Sequence, residues 1–276
     1  MKISKILAIA ATAISLLGMA AAQQQGPSPV QGITAVASKV NPDYVRVRLA
    51  DGSFEPEPYA FWEGGRLDGT VRDPSMDGLK FTDIARIIAG PLAAQKYLPT
   101  RDQSKQKLLI VVFWGTTVVP TQLNFSTGVM TGNGAFNYMD NMQRDLTDYR
   151  NAKILGYSSE PLVESDFGNF MTVSGVTGLF ASELMSEIED SRYFVVLMAY
   201  DFQLLRAKNV HKKLWETRFS INEQKNHFDR ALPAMVRYAS NYFGQETKGL
   251  VRTKIPEGEV SIGEVRSLGQ TEAPGK

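Results

Sequence analysis

The 276-residue chain is 43% hydrophobic and 10% aromatic, carries 30 basic and 29 acidic residues, and contains no cysteine. That much apolar material excludes disorder along the whole length and supplies a sizeable core, while a net charge of +1 leaves no electrostatic footprint for nucleic acid. Without cysteine there is no disulfide, no thiolate metal site, no thiol nucleophile and no acceptor for an N-terminal lipid.

Residues 1–22 have the three parts of a secretory signal: Lys2 and Lys5, the apolar run Ile6 to Leu17, and the small residues Ala20, Ala21 and Ala22 ahead of Gln23. Cleavage is expected between Ala22 and Gln23. It takes two lysines and no acid, moving the net charge from +1 to about −1. No other segment reaches transmembrane length, so the expected product is periplasmic or secreted, with no membrane anchor.

Gln23 to Gly32 is Gln-, Gly- and Pro-rich, and residues 23–40 read as a flexible leader with the body starting near Asn41. Val45, Val47 and Leu49 alternate with Tyr44, Arg46 and Arg48. Asp51-Gly52 offers a turn, and Phe54 to Trp62 can return as a strand that Pro56 and Pro58 confine to an edge. Glu63 to Gly78 reads as a loop. Phe81, Ile84, Ile88, Leu92 and Leu98 mark a helical face interrupted at Gly90-Pro91, with Thr82 as N-cap.

Lys107 to Trp114 (KLLIVVFW) is a continuous apolar run, the pattern of a strand buried on both faces, and Tyr193 to Leu205 is a second. The two are expected side by side at the centre of one sheet. Trp215, Thr217, Phe219 and Ile221 alternate with polar residues in a third, half-buried strand. Between the central strands lies an insertion, 115–190. It holds a Gly/Thr/Asn-rich loop, a polar helix from Phe136 to Leu155 with Tyr138, Met142, Leu146, Tyr149 and Lys153 on one stripe, and an amphipathic segment from Leu179 to Ile188. A last helix from Asn222 to Phe243 carries Phe228, Leu232, Met235, Ala239 and Tyr242 on its apolar face, contains Pro233, and ends at Gly244. Glu259 to Val265 offers one more strand, and residues 267–276 read as a disordered tail.

The expected fold is α/β (α+β): one domain, 41–266, with a mixed, largely antiparallel sheet. Two kinked helices cover one face, and the helical insertion covers the other.

Chemical motifs are sparse. There is no HExxH, GxSxG, Walker A or GxGxxG, and GVMTGNG (Gly128 to Gly134) lacks the Lys-Ser/Thr of a phosphate loop. His211 and His227 lack metal-ligand spacing. Ser104 and Lys107 fit SxxK without its companion motifs. A carboxylate pair for sugar hydrolysis has Asp73, Asp77, Asp166, Glu183, Glu187 and Glu189 as nominal candidates. Trp62, Trp114 and Trp215 are candidates to line a binding cleft, but Trp114 and Trp215 fall on strands and core packing is the expected role. No catalytic residue, cofactor or metal is implied.

Tyr59-Ala60-Phe61-Trp62, Lys96-Tyr97, Leu108 to Phe113, Phe194 to Asp201 and Leu214-Trp215 follow one another in an order that resembles a family of bacterial envelope proteins of unknown function, mostly periplasmic lipoproteins. Missing here is that family's lipidated cysteine, and the insertion from Gly115 to Asp190 has no counterpart in it. The resemblance implies a small envelope α/β module without established enzymatic activity. Two functions follow: a non-enzymatic binding or structural module for an envelope protein or glycan, engaging it through 115–191, or a carboxylate-dependent hydrolase of envelope polymers. Two acids facing across a pocket, roughly 5 to 9.5 Å apart, would mark the hydrolase.

Overall fold

The structure is a computed structural model that describes residues 30–70, 72–119, 133–157 and 187–255. Seven strands form one mixed sheet: β1 (Ile33–Val40), β2 (Glu57–Leu67), β3 (Tyr97–Pro99), β4 (Leu108–Thr116), β5 (Arg192–Asp201), β6 (Lys213–Asn222) and β7 (Val251–Lys254). Their order is β3-β2-β4-β5-β6-β1-β7. β2 pairs parallel with β3 and β4, and every other pair is antiparallel. The two apolar runs are neighbours as expected, with Phe113 opposite Val196 and Leu109 opposite Tyr200.

Around the sheet lie α1 (Pro74–Asp77), α2 (Phe81–Ala94), α3 (Asn133–Leu155), α4 (Phe202–Lys208) and α5 (Phe228–Ala239). α2 and α5, each with an internal proline, share one face. Ile84, Ile88 and Leu92 from α2 and Phe228, Leu232, Met235 and Val236 from α5 join Tyr59, Ile110, Val195 and Trp215 in one buried cluster. Buried aliphatic and aromatic side chains of this size each contribute about 1.5–3 kcal/mol, so this cluster dominates the stability of the fold. Within it Trp215 lies between Tyr97 and Phe243, with ring centroids 5.6 and 6.2 Å away. Trp114 and Trp215 are core residues, as their positions implied.

The second face carries Val111, Phe113, Phe194, Val196 and Met198, and the end of α3 packs there through Ile154 and Leu155. The stripe expected for this helix differs from the buried one. Of that stripe Lys153 is buried, Leu146 and Tyr149 are half-buried, and the side chains of Tyr138 and Met142 lie outside the described residues, whereas Thr147, Asp148, Asn151 and Ala152 face in. Asn151 suits that position because its amide donates to the carbonyls of Val118 and Ile188 at 2.7 and 3.0 Å. Asp148 is less well served, and its Oδ1 is buried without a partner. Burial first and the nearby Glu189 second push its carboxyl up to about 6.

The folded chain therefore holds this proton more tightly than the unfolded one, and stability falls as the pH rises from about 4 to 6. The full shift is worth about 3 kcal/mol in a dry site. Arg144 and Glu189 are 43% and 31% exposed, so water screens the group. We expect Asp148→Asn to add about 1 kcal/mol at pH 7.5 and almost nothing at pH 4, measured by urea unfolding.

Five further differences have physical causes. Residues 33–40, read as leader, form β1, which bonds to β6 and β7 and buries Ala35, Val36 and Ala37. Ala is disfavoured in strands and gives a weak apolar pattern, so the strand is fixed by its backbone pairing on both sides rather than by its side chains. β2 runs on to Leu67 through residues read as loop, because a bulge between Glu63 and Gly65 absorbs the glycines. β5 stops at Asp201 rather than Leu205, since the Asp201 carboxylate accepts the Leu204 N–H at 2.9 Å and caps α4. α5 starts at Phe228 rather than Asn222, because Ser220 and Ile221 belong to β6. In the segment 44–49 the polar side turns inward. Arg46 stacks over Phe54 and Tyr97 at 3.9 and 4.2 Å, and Val45 is 80% exposed.

Candidate functional site

The residues offered for hydrolysis are occupied individually. Asp73 caps α1, accepting from Ser75 N and Oγ at 2.8 and 2.6 Å. Asp77 binds Arg66 and Arg72, at 3.0 and 2.9 Å, and the Arg66 hydrogen bond leads in holding its carboxyl below the usual range. Glu187 accepts from the Tyr157 hydroxyl and pairs with Arg252 at 3.2 Å. Glu189 pairs with Arg144. Asp166 and Glu183 lie outside the described residues, as do the Ala22–Gln23 cleavage site, most of the loop before α3 and the segment from Leu179 to Ser186.

Ser104 donates to Asp102 at 2.6 Å and Lys107 pairs with Glu55 at 3.3 Å, so the SxxK residues belong to separate surface contacts. His227 sits exposed at the start of α5. Among the described residues no group of three His, Asp or Glu could hold a metal ion, and no helix is long and apolar enough to cross a membrane.

What the structure does assemble is a cleft of about 680 Å³ on the second sheet face, at the end away from Ile154 and Leu155. Leu109, Val111 and Phe113 of β4 and Tyr200 of β5 form its floor, Phe202 and Leu205 of α4 one wall, and Trp62 of β2 the other. Trp62 is 63% exposed, and its neighbours on β2, Tyr59 and Phe61, point to the opposite face, into the main core.

Gly64 makes the floor possible. A Cβ there would lie 2.7 Å from the Phe113 ring, so only glycine lets that ring rest against β2. The polar lining consists of Glu63 and His211, both exposed, and the His211 ring meets Tyr200 edge-on at 6.3 Å. α4 is the part that sequence reasoning missed. Asp201, a residue type that caps helices, was the available signal, obscured by the apolar run on either side of it.

This arrangement can bury apolar groups against an aromatic wall and offers little for acid–base chemistry. Each of three clefts formed by the described residues has one carboxylate in its lining: Glu63 here, Glu246 beside β1 and β7, and Glu216 between β1 and β6. No facing pair of acids is present in them.

No family model and no curated protein matches the chain. Among solved structures it is similar to a PDZ domain protein from Parabacteroides distasonis, with TM-score 0.39 and 13% identity over 82% of this chain. It covers 39% of that protein's length. It is also similar to a DUF4136 family protein from Bacteroides thetaiotaomicron, with TM-score 0.32 and 11% identity, covering 75% of this chain and 93% of the other.

Proposed function

We propose that the chain is an exported, non-enzymatic binding module of a bacterial envelope, and that it holds an apolar segment of a partner protein in the Trp62 cleft. The observation that carries this reading is the exposed indole beside an apolar floor. Large exposed aromatics with apolar neighbours mark binding surfaces, and Trp is enriched among the residues that anchor them. Of the two partner classes expected from the sequence, a glycan needs a dense set of donors and acceptors for its hydroxyls. Two polar side chains at the mouth favour the protein. The hydrolase draws no support from clefts with single carboxylates.

The test uses the three tryptophans. Only Trp62 is exposed, so apolar tetrapeptides entering the cleft should shift its emission to the blue, while an N-acetylglucosamine disaccharide should not. Trp62→Ala should weaken tetrapeptide binding about tenfold, read by isothermal calorimetry. Unchanged affinity in that variant, or binding of the disaccharide alone, would remove the reading. Export has its own measurement. Expressed with its native start, the chain should be recovered from the periplasm or medium with Gln23 as its first residue by mass spectrometry, and an intact cytoplasmic chain would defeat the proposal.

A further inference from the structure

A second cleft lies at the other end of the same sheet face, between β1, the end of α3 and β7. Its volume is about 630 Å³. Three cations from separate elements line it: Lys39 from β1, Lys248 from the loop after α5, and Arg252 from β7. The floor is made of small residues, Ala37 and Gly156.

The loop that brings Lys248 is fixed to β1 by several bonds. Thr247 N–H donates to the Ser38 carbonyl at 3.0 Å, and Ser38 N–H donates to Thr247 Oγ1 at 2.8 Å. Glu246, the cleft's carboxylate, accepts the Val40 N–H at 2.8 Å and so is tied to the backbone. Arg252 pairs with Glu187 at 3.2 Å through one nitrogen of its fork, and its guanidinium lies 5.8 Å from the Tyr157 ring. Burial, and after it the like charge of Arg218, hold the Lys39 ammonium below its ordinary value, against the opposing pull of the Glu216 and Glu246 carboxylates.

We propose that this cleft binds a small ligand through a phosphate group, either a soluble phosphate ester or the headgroup of a phospholipid, with Lys39, Lys248 and Arg252 as the anion's partners. Lysine supplies point charges and arginine a planar fork, the combination that phosphate recognition uses. The cleft is far larger than one phosphate group, so an organic portion has room over Ala37 and Gly156. Nothing in this reading depends on the Trp62 cleft, which is built from other strands.

The experiment uses the mature chain at constant ionic strength, so that general screening is held fixed. Inorganic phosphate and glycerol 1-phosphate are titrated while the amide signals of Gly156 and Gly249 are followed by NMR. Saturable shifts with Kd near or below ~1 mM are expected. Lys39→Gln with Arg252→Gln should weaken binding about tenfold, and Lys248→Gln alone, on an exposed loop, tests the site should the double variant fold poorly.

In a parallel arm, sedimentation with phosphatidylcholine vesicles containing phosphatidic acid separates the sources. Retention on these vesicles that Lys248→Gln weakens assigns a lipid headgroup, and binding of the soluble ester alone assigns a metabolite. No saturation in either arm, or equal affinity in the variants, overturns the proposal.

Discussion

Arg218→Ala should destabilise the fold by about 3–5 kcal/mol, the range seen when one member of a buried ion pair is removed. Arg218 and Glu216 are each 1% exposed and lie on the sheet face that α3 covers. The Arg218 Nε donates to Glu216 Oε1 at 3.0 Å, a second guanidinium nitrogen reaches the same oxygen, and Nη1 donates to the Lys153 carbonyl at 2.5 Å. That carbonyl is in the last turn of α3, where a cation also complements the negative end of the helix dipole. One side chain thus shares with Lys213 the neutralisation of a buried acid and ties the insertion to the sheet.

Burial opposes ionisation of Glu216, but Arg218 and Lys213 more than offset it, and its carboxyl titrates below the ordinary range. Its contribution is therefore complete above pH about 4.5 and is lost as the pH falls through the lowered value. Urea unfolding at pH 7 gives the main comparison. The control is the double variant Glu216→Leu with Arg218→Met, which buries no charge and should recover most of the loss. A double variant as unstable as Arg218→Ala would show that the tie to Lys153, rather than the carboxylate left to Lys213 alone, carries the effect.

Neither residue stands out in the sequence, and the reason is general. Glu216 and Arg218 occupy the polar positions of an alternating strand, and alternation places such residues in water unless something covers that face. The cover is α3, whose inward side presents Thr147, Asp148 and Asn151, so apolar periodicity pointed to Leu146 and Tyr149 where polar residues face in. Where burial is apolar and continuous the reading was direct. Leu108 to Trp114 and Tyr193 to Asp201 are adjacent strands, and Ile84, Ile88, Leu92, Phe228 and Leu232 are the helix residues that cover them.

Weak apolar signals failed in a consistent way. β1 is built on Ala35, Val36, Ala37 and Ser38, and β7 on Val251, Arg252, Thr253 and Lys254. Both gain their place from hydrogen bonds to a neighbour rather than from side chains large enough to be noticed. The Trp62 cleft was legible in part. Trp62 was one of three tryptophans offered for a cleft, with core packing the expected role, and its exposure, the bulge at Gly64 and the cap at Asp201 are all set by tertiary contacts.

Gly156→Ala is the substitution that best separates backbone from packing in the insertion, and we expect it to cost about 3 kcal/mol. Gly156 follows the last turn of α3 with φ +87°, a left-handed conformation in which a Cβ costs about 1 kcal/mol. An added Cβ would also lie 2.3 Å from Ala37 Cβ on β1, well inside contact distance, and the overpacking adds about 2 kcal/mol. The two contributions come apart in a double-mutant cycle. Ala37→Gly removes the obstructing methyl group, so in that background Gly156→Ala should cost only about 1 kcal/mol, leaving a coupling of about 2 kcal/mol between the sites. Independent costs would mean that α3 moves away from β1 to accept the methyl. In that case hydrogen exchange at Ala152 to Leu155 should accelerate in Gly156→Ala, because these residues pack on the sheet only while the helix end stays down. The same approach forms the floor of the cationic cleft, so a displaced helix would also weaken phosphate binding with Lys39, Lys248 and Arg252 all intact.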